Sequence, residues 1–250
     1  MILQDVLFTQ GFGTRRVCAG LIQQGLVELR SECGSQWQVC TQLDAPLDLD
    51  HQACFRVSGT EWPFVSKAYI ALHKPEGTEC SQKPSRYPSV YTLLPAPLRT
   101  RPARGVIQGV QAVGRLDQDT TGLLLLSDDG QFIHRMSSPK KRVPKVYRVT
   151  AKHPVSDAQI QKLLAGVVLE DDPVPVRAAA CTLIDDHTLD LTLTEGKYHQ
   201  VKRMLAAVSN RVEALHRRSV GSFELPHNLA PGQWRWLLPS ELLALQMTEK

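Results

Sequence analysis

Residues 114–126 read Gly-Arg-Leu-Asp-Gln-Asp-Thr-Thr-Gly followed by four leucines. This order places the carboxylate of Asp117 between Arg115 and the hydroxyls of Thr120 and Thr121, at a chain bend just before an apolar run. A carboxylate in a polar corner held by a rigid element is where loops tend to carry chemistry. The same residues also suit an ordinary turn in which Asp117 pairs with Arg115, because structural ion pairs produce similar patterns. Two other segments have chemical character. Lys145 and Tyr147 lie two apart in a strand-like stretch and so share one face. Residues 196–204, Gly-Lys-Tyr-His-Gln-Val-Lys-Arg-Met, gather Lys197, His199, Lys202 and Arg203 around a junction of strand and helix, and the free amides of a helix start attract anions. A hydrolytic or metal site built on Glu195, His199 and Lys202 finds little support. His199 has no second histidine at ligand spacing, and no carboxylate pair is evident.

The elements that position these groups follow from apolar patterning. The four leucines, bounded by Gly122 and by Ser127-Asp128-Asp129-Gly130, predict a buried strand that ends in a turn. Residues 68–72 read as a strand running into His73-Lys74-Pro75-Glu76-Gly77. Residues 146–149 alternate as a strand, and Leu189, Leu191 and Leu193 predict a strand with one buried face. Ser156 and Gln159 form a capping-box pattern for a short helix that stops near Gly166. A helix is predicted near 199–208, with Asn210 as its left-handed stop. Residues 84–104, rich in proline and arginine, read as an extended surface loop. Near the N-terminus, residues 6–8 and 17–22 give short helical patterns. Thr14 is the expected N-cap of the second, and Gly25 the stop before a strand at 26–29. Residues 58–63 read as a linker. Strands alternate irregularly with short helices and regular βαβ units are missing, which predicts an α+β fold over a doubly wound sheet.

The bulk properties narrow the partners. The chain has 250 residues, 42% of them hydrophobic, and a formal net charge of +4. That is enough for a real core in one large domain or two unequal ones. The charge is unevenly spread. Residues 131–152 hold seven basic side chains and no acid, and residues 197–218 hold six against Glu213 alone. Two such runs are the footprint of a binder of phosphate backbones, although either run alone also describes a solvated face. The six cysteines (Cys18, Cys33, Cys40, Cys54, Cys80 and Cys181) show no zinc-site spacing and read as reduced, mostly buried thiols. No signal peptide or membrane-spanning run is evident, so the expectation is a cytoplasmic protein with no membrane partner.

Taken together, Gly-Arg-Leu-Asp-x-x-Thr-x-Gly with its leucines, Lys-x-Tyr, and Glu-Gly-Lys-Tyr-His-Gln-Val-Lys-Arg-Met closely resemble the pseudouridine synthases of the small-subunit ribosomal RNA type. Lys74-Pro75-Glu76-Gly77 matches that family's upstream Lys-Pro-x-Gly signature. The resemblance implies a catalytic domain over 67–250, with a central mixed, mainly antiparallel sheet. It implies isomerisation of one uridine of 16S rRNA, of the kind done at position 516, on free rRNA or on a small-subunit assembly intermediate. It also implies no cofactor and no metal, and the expected state is a monomer. Asp117 would be nucleophile or ribose base. Tyr147 would stack on the extruded uracil, and Lys202 would be the basic partner of Asp117. Lys74, Arg115, Thr120, Lys145, Lys197, His199, Gln200 and Arg203 are its expected RNA contacts. Residues 1–60 resemble a small S4-type RNA-binding domain, most clearly at Gly13-Thr14-Arg15-Arg16 and residues 21–27. Here Ile2-Leu3-Gln4-Asp5 replaces the family's Arg-Leu-Asp-Lys opening, which removes two basic positions. Arg15, Arg16 and Arg30 remain as expected contacts. Action on 23S rRNA, or a non-catalytic role in RNA binding or ribosome assembly, are the alternatives.

Overall fold

The structure is a computed structural model that describes residues 1–30, 36–47, 54–102, 108–170 and 172–247. Cys33 and the end of the 84–104 segment lie outside the described residues. The chain forms two compact units, one of residues 1–68 with 94–111, the other of residues 69–93 with 112–250. Residues 94–111 thus go with the first unit, whereas the sequence reading placed them in the domain 67–250.

In the first unit, α1 (Leu3–Gln10) and α2 (Arg15–Gln23) precede a small antiparallel sheet. Its strands β1 (Val27–Leu29), β2 (Gln38–Val39), β3 (Cys54–Val57) and β4 (Thr60–Pro63) lie in the order β2-β1-β3-β4. The Thr14 hydroxyl accepts from the Val17 amide at 3.3 Å, which caps α2 as expected. The expected linker at 58–63 is instead a hairpin. Ser58 and Gly59 both take positive φ, 50° and 79°, the backbone that a two-residue hairpin turn requires. Trp62 is then buried by β4. The expected surface loop 84–104 is also corrected. It holds a 3₁₀ turn (Val90–Leu93) and α3 (Ala96–Thr100), with Val90, Leu94 and Leu98 buried. Arg101, 3% exposed, donates to the Gln10 side chain at 2.8 Å and the Val65 carbonyl at 2.9 Å, tying α3 to the N-terminal residues.

The second unit begins with β5 (Tyr69–Lys74). A two-residue strand, β6 (Gln111–Ala112), lies at the boundary between the units. Then follow β7 (Thr120–Ser127), α4 (Gly130–Ser137), β8 (Lys145–Ala151), α5 (Asp157–Ala165), β9 (Val167–Leu169) and β10 (Asp172–Val176). The remainder is β11 (Ala180–Asp185), β12 (Thr188–Leu193), α6 (Gln200–Ala207), β13 (Val212–Val220), β14 (Phe223–Glu224), β15 (Trp234–Trp236) and α7 (Pro239–Gln246). The main sheet runs β11-β12-β8-β13-β7-β5-β15. Of these pairs, β13 with β7 is parallel and the others are antiparallel. This is the mixed, mainly antiparallel sheet of an α+β domain. The four leucines of β7 are 0–1% exposed, as a strand buried on both faces requires. Helices α5 and α6 cover one face, packing Leu163, Val201, Met204 and Leu205 against Val149, Leu189, Leu191 and Leu193. On the β7 side, Phe132 and Met136 of α4 pack against Leu123 and Leu125.

Of the local expectations here, one is met and two are corrected. Ser156 and Gln159 form the full capping box of α5. The stop after α6 is Ser209, at φ 58°, and not Asn210. The Asn210 side chain instead bonds both the amide and the carbonyl of His153, at 3.2 and 3.0 Å. Gly122 has φ 104°, and a Cβ there would lie 2.3 Å from the Arg217 carbonyl oxygen, so β7 and β13 come together only over a glycine. Cys18 is buried, but Cys40, Cys54, Cys80 and Cys181 are only partly so, and all five are free thiols.

Candidate active site

The corner that carries Asp117 is pinned from below by a lysine. Lys74, the last residue of β5, is fully buried. Its ammonium donates to the carbonyls of Pro75 at 3.1 Å, Gln118 at 3.3 Å and Thr120 at 2.9 Å. The Gly77 amide also donates to the Gln118 carbonyl, at 2.8 Å, and the Thr120 amide closes the turn onto the Asp117 carbonyl at 3.1 Å. Burial pulls the Lys74 ammonium below the ordinary lysine range, against the opposing pull of acidic groups around the corner. Backbone carbonyls are what a buried cation needs when no carboxylate reaches it. Lys74 is therefore a staple of the corner and has no surface with which to meet RNA.

The opposite wall comes from the turn into α6. His199 takes a left-handed conformation, φ 48°, at the cap of this helix. Gln200 is buried, accepting from the Lys197 amide at 2.8 Å and donating to Glu195 at 2.9 Å. Glu195 and Gln200 thus lock the turn, and Gln200 has no exposed amide to offer a ligand. Two residues on, Lys202 projects to the corner. Its ammonium lies 3.3 Å from Asp117 Oδ2, and 2.7 and 2.9 Å from the two oxygens of Asp119. His199 Nε2 lies 3.5 Å from the same Asp117 oxygen. Burial alone would lower the Lys202 ammonium, but the Asp119 hydrogen bond and the charges of both carboxylates outweigh it and raise it above the ordinary lysine value.

Sheet register supplies the floor. Tyr147 of β8 pairs with Arg217 of β13, which pairs with Gly122 of β7, while Leu215 pairs with Thr120. Alternation then puts Lys145, Tyr147 and Arg217 on the face where Thr120 opens β7. Tyr147 is half-buried against the core beneath α5 and α6. Arg217 is 1% exposed, with Nε donating to the Leu123 carbonyl at 2.8 Å. Its Nη2 and the Thr120 hydroxyl are buried without a hydrogen-bond partner among the described residues. Burial, reinforced by the charge of Arg217, pushes the Lys145 ammonium down to about 8. Lys145 donates to the Val143 carbonyl at 2.9 Å.

The sequence-predicted residues therefore divide. Asp117, Lys202 and His199 meet directly, and Arg115, exposed at the corner, is not the partner that the turn reading gave Asp117. Thr120 is buried. Lys197 is engaged by Asp172, and Arg203 donates to the Tyr198 carbonyl at 3.0 Å. In the first unit, Arg15 pairs with Asp5 at 3.2 Å and lies over the Phe8 ring, Arg16 is exposed, and Arg30 pairs with Glu61. Two groups were missed. Asp119 shares Lys202 with Asp117, a carboxylate pair where none is expected from the sequence; its signal is an Asp-x-Asp spacing across a tight turn. Tyr198 is 71% exposed and stacked on His199, with ring centroids 3.8 Å apart. Its signal was an aromatic residue inside a basic segment.

Known proteins share sequence and fold with this chain. Residues 68–207 match the model of the RNA pseudouridylate synthase family. The chain is 40% identical over 187 residues to ribosomal small subunit pseudouridine synthase A of Pasteurella multocida, covering 74% of this chain and 77% of that one. It is 36% identical over 222 residues to the protein of the same name from Vibrio vulnificus, covering 88% and 83%. A crystal structure of a pseudouridylate synthase superposes with a TM-score of 0.66 at 31% identity, over 98% of this chain and 99% of that one.

Proposed function

The chain belongs to the RNA pseudouridylate synthase family, and from that premise we propose that it converts one uridine of 16S rRNA, at position 516, to pseudouridine. The reaction breaks the N1–C1′ bond, turns the base, and joins C5 to C1′. C5 loses a proton and N1 ends with one, so atoms and electrons balance without a redox partner. What the protein must supply is a carboxylate beside the ribose, a platform for the extruded base, and cations for the backbone. The observation that carries the reading is Asp117, on a stapled corner, facing Lys202 at 3.3 Å.

In this reading Asp117 either attacks C1′ or removes a ribose proton, and Lys202 orients it. Tyr147 stacks on the flipped uracil, replacing the stacking lost from the RNA. Arg115, Lys145, His199 and Arg203 surround the nucleotide, with Lys145 charged at neutral pH. The first unit, through Arg15 and Arg16, acts as an S4-like RNA-binding module. The 16S assignment is supported by relatives that bear the small-subunit name at about 40% identity. No helix among the described residues is long and apolar enough to cross a membrane. The test is to map pseudouridines in the rRNA of a strain lacking the gene. Loss of one 16S pseudouridine, restored by the wild-type gene and not by Asp117→Ala, is expected. A loss confined to 23S rRNA would overturn the assignment.

A further inference from the structure

We infer that Asp119 is a positioning residue for this reaction, holding the Lys202 ammonium by both of its oxygens so that Asp117 keeps its lone pairs for the substrate. The inference rests on the proposed function and goes beyond it. Four distances carry it. Lys202 Nζ lies 2.7 and 2.9 Å from the Asp119 oxygens, within the range of charge-assisted hydrogen bonds. Its contact with Asp117 is long, at 3.3 Å, and His199 stands 3.5 Å away. The carboxylate assigned to chemistry is thus the more loosely held of the two, although both face one ammonium.

The split is built into the backbone. Asp117 and Asp119 sit on the same turn, which Lys74 fixes at the Gln118 and Thr120 carbonyls. Lys202 comes from the first turn of α6, behind the Glu195–Gln200 lock. Neither wall needs to move for the ammonium to reach both acids. Asp119 is the more exposed of the two, at 42% against 33% for Asp117, and Lys202 is exposed by 27%. Without Asp119, the ammonium has one carboxylate left and closes on it toward the 2.7–2.9 Å of a tight pair. A carboxylate so engaged is a poorer nucleophile and a poorer base, because the ammonium must be pulled back before an oxygen can reach the ribose. Asp119 therefore acts on the chemical step through Lys202 and does not need to touch the RNA.

The experiment is a tritium-release assay on C5-labelled uridine in a 16S transcript, with the full chain. It compares wild type, Asp119→Asn, Asp119→Glu, Lys202→Met and the Asp119→Asn/Lys202→Met double variant. Asp119→Asn is expected to lower kcat by about tenfold, the size of one charge-assisted hydrogen bond, with KM within about twofold. Asp119→Glu, which keeps the charge, should recover most of the rate. In the Lys202→Met background, Asp119→Asn should cost nothing further, because the group it acts through is gone. A wild-type kcat in Asp119→Asn overturns the inference. So does a change confined to KM, which would make Asp119 an RNA-facing charge, or a tenfold loss that persists without Lys202. Failure of the functional reading would look different: the wild type itself would release no tritium.

Discussion

Replacing Lys74 by Met tests whether the corner is held as described. Methionine preserves most of the volume and removes the ammonium. The loss is then what the carbonyls feel, because the ammonium's own desolvation cost disappears with it. The Gln118 carbonyl keeps the Gly77 amide at 2.8 Å, and the Pro75 carbonyl keeps the Thr78 hydroxyl at 3.1 Å. The Thr120 carbonyl loses a donor at 2.9 Å in a buried setting. One orphaned buried acceptor costs about 1–3 kcal/mol, and the two weakened ones add roughly 1 kcal/mol together. The expected destabilisation is about 2–4 kcal/mol, which in a unit of this size lowers Tm by roughly 5–10 °C. Urea unfolding and calorimetry measure this, and tritium release on the same samples at 20 °C should show kcat falling by more than the folded fraction explains. A Lys74→Met protein as stable and as active as wild type would refute the claim that this side chain staples the corner.

Three further outcomes follow from the same structure. An ordinary lysine stays charged to about 10.5, but burial brings Lys145 down to about 8, so its positive charge is lost between pH 7 and 9. RNA affinity measured by filter binding should therefore fall by about fivefold across that window in wild type and stay flat in Lys145→Arg. Because the unfolded chain holds that proton up to about 10.5, the same group should make folding stability rise with pH between about 8 and 10.5. Gly122→Ala should fail to give soluble protein, or should unfold early in a thermal melt, since its Cβ would press on the Arg217 backbone at 2.3 Å.

What the sequence made legible is what local patterning encodes. The run of leucines, the alternation at 189–193 and the capping box at Ser156 each have one backbone solution, and β7, β12 and α5 adopt it. Asp117 and Lys202 stand out only through the resemblance to a known family, which links the corner to the helix start; the local residues alone leave Asp117 equally suited to a turn ion pair. The residues that were misread are those whose state depends on distant contacts. Lys74 looks like any exposed lysine until its three carbonyl acceptors, two of them more than forty residues away, are seen. Residues 84–104 have the composition of a loop, but Val90, Leu94 and Leu98 find cores to bury into. Thr60–Pro63 has the composition of a linker, and became a strand because Ser58-Gly59 could turn and Trp62 had a place to go. Asp119 was overlooked because its role exists only once α6 is folded back against the corner.

The central claim is that Asp117 is the group whose oxygen meets the ribose. Single-turnover tritium release from C5-labelled uridine in a 16S transcript tests it most directly, with wild type set against Asp117→Ala under conditions where both bind the RNA. Stoichiometric release by wild type is expected, with a rate at least about a thousandfold lower in Asp117→Ala at unchanged RNA affinity. Equal release by the two proteins would show that Asp117 is not the catalytic group.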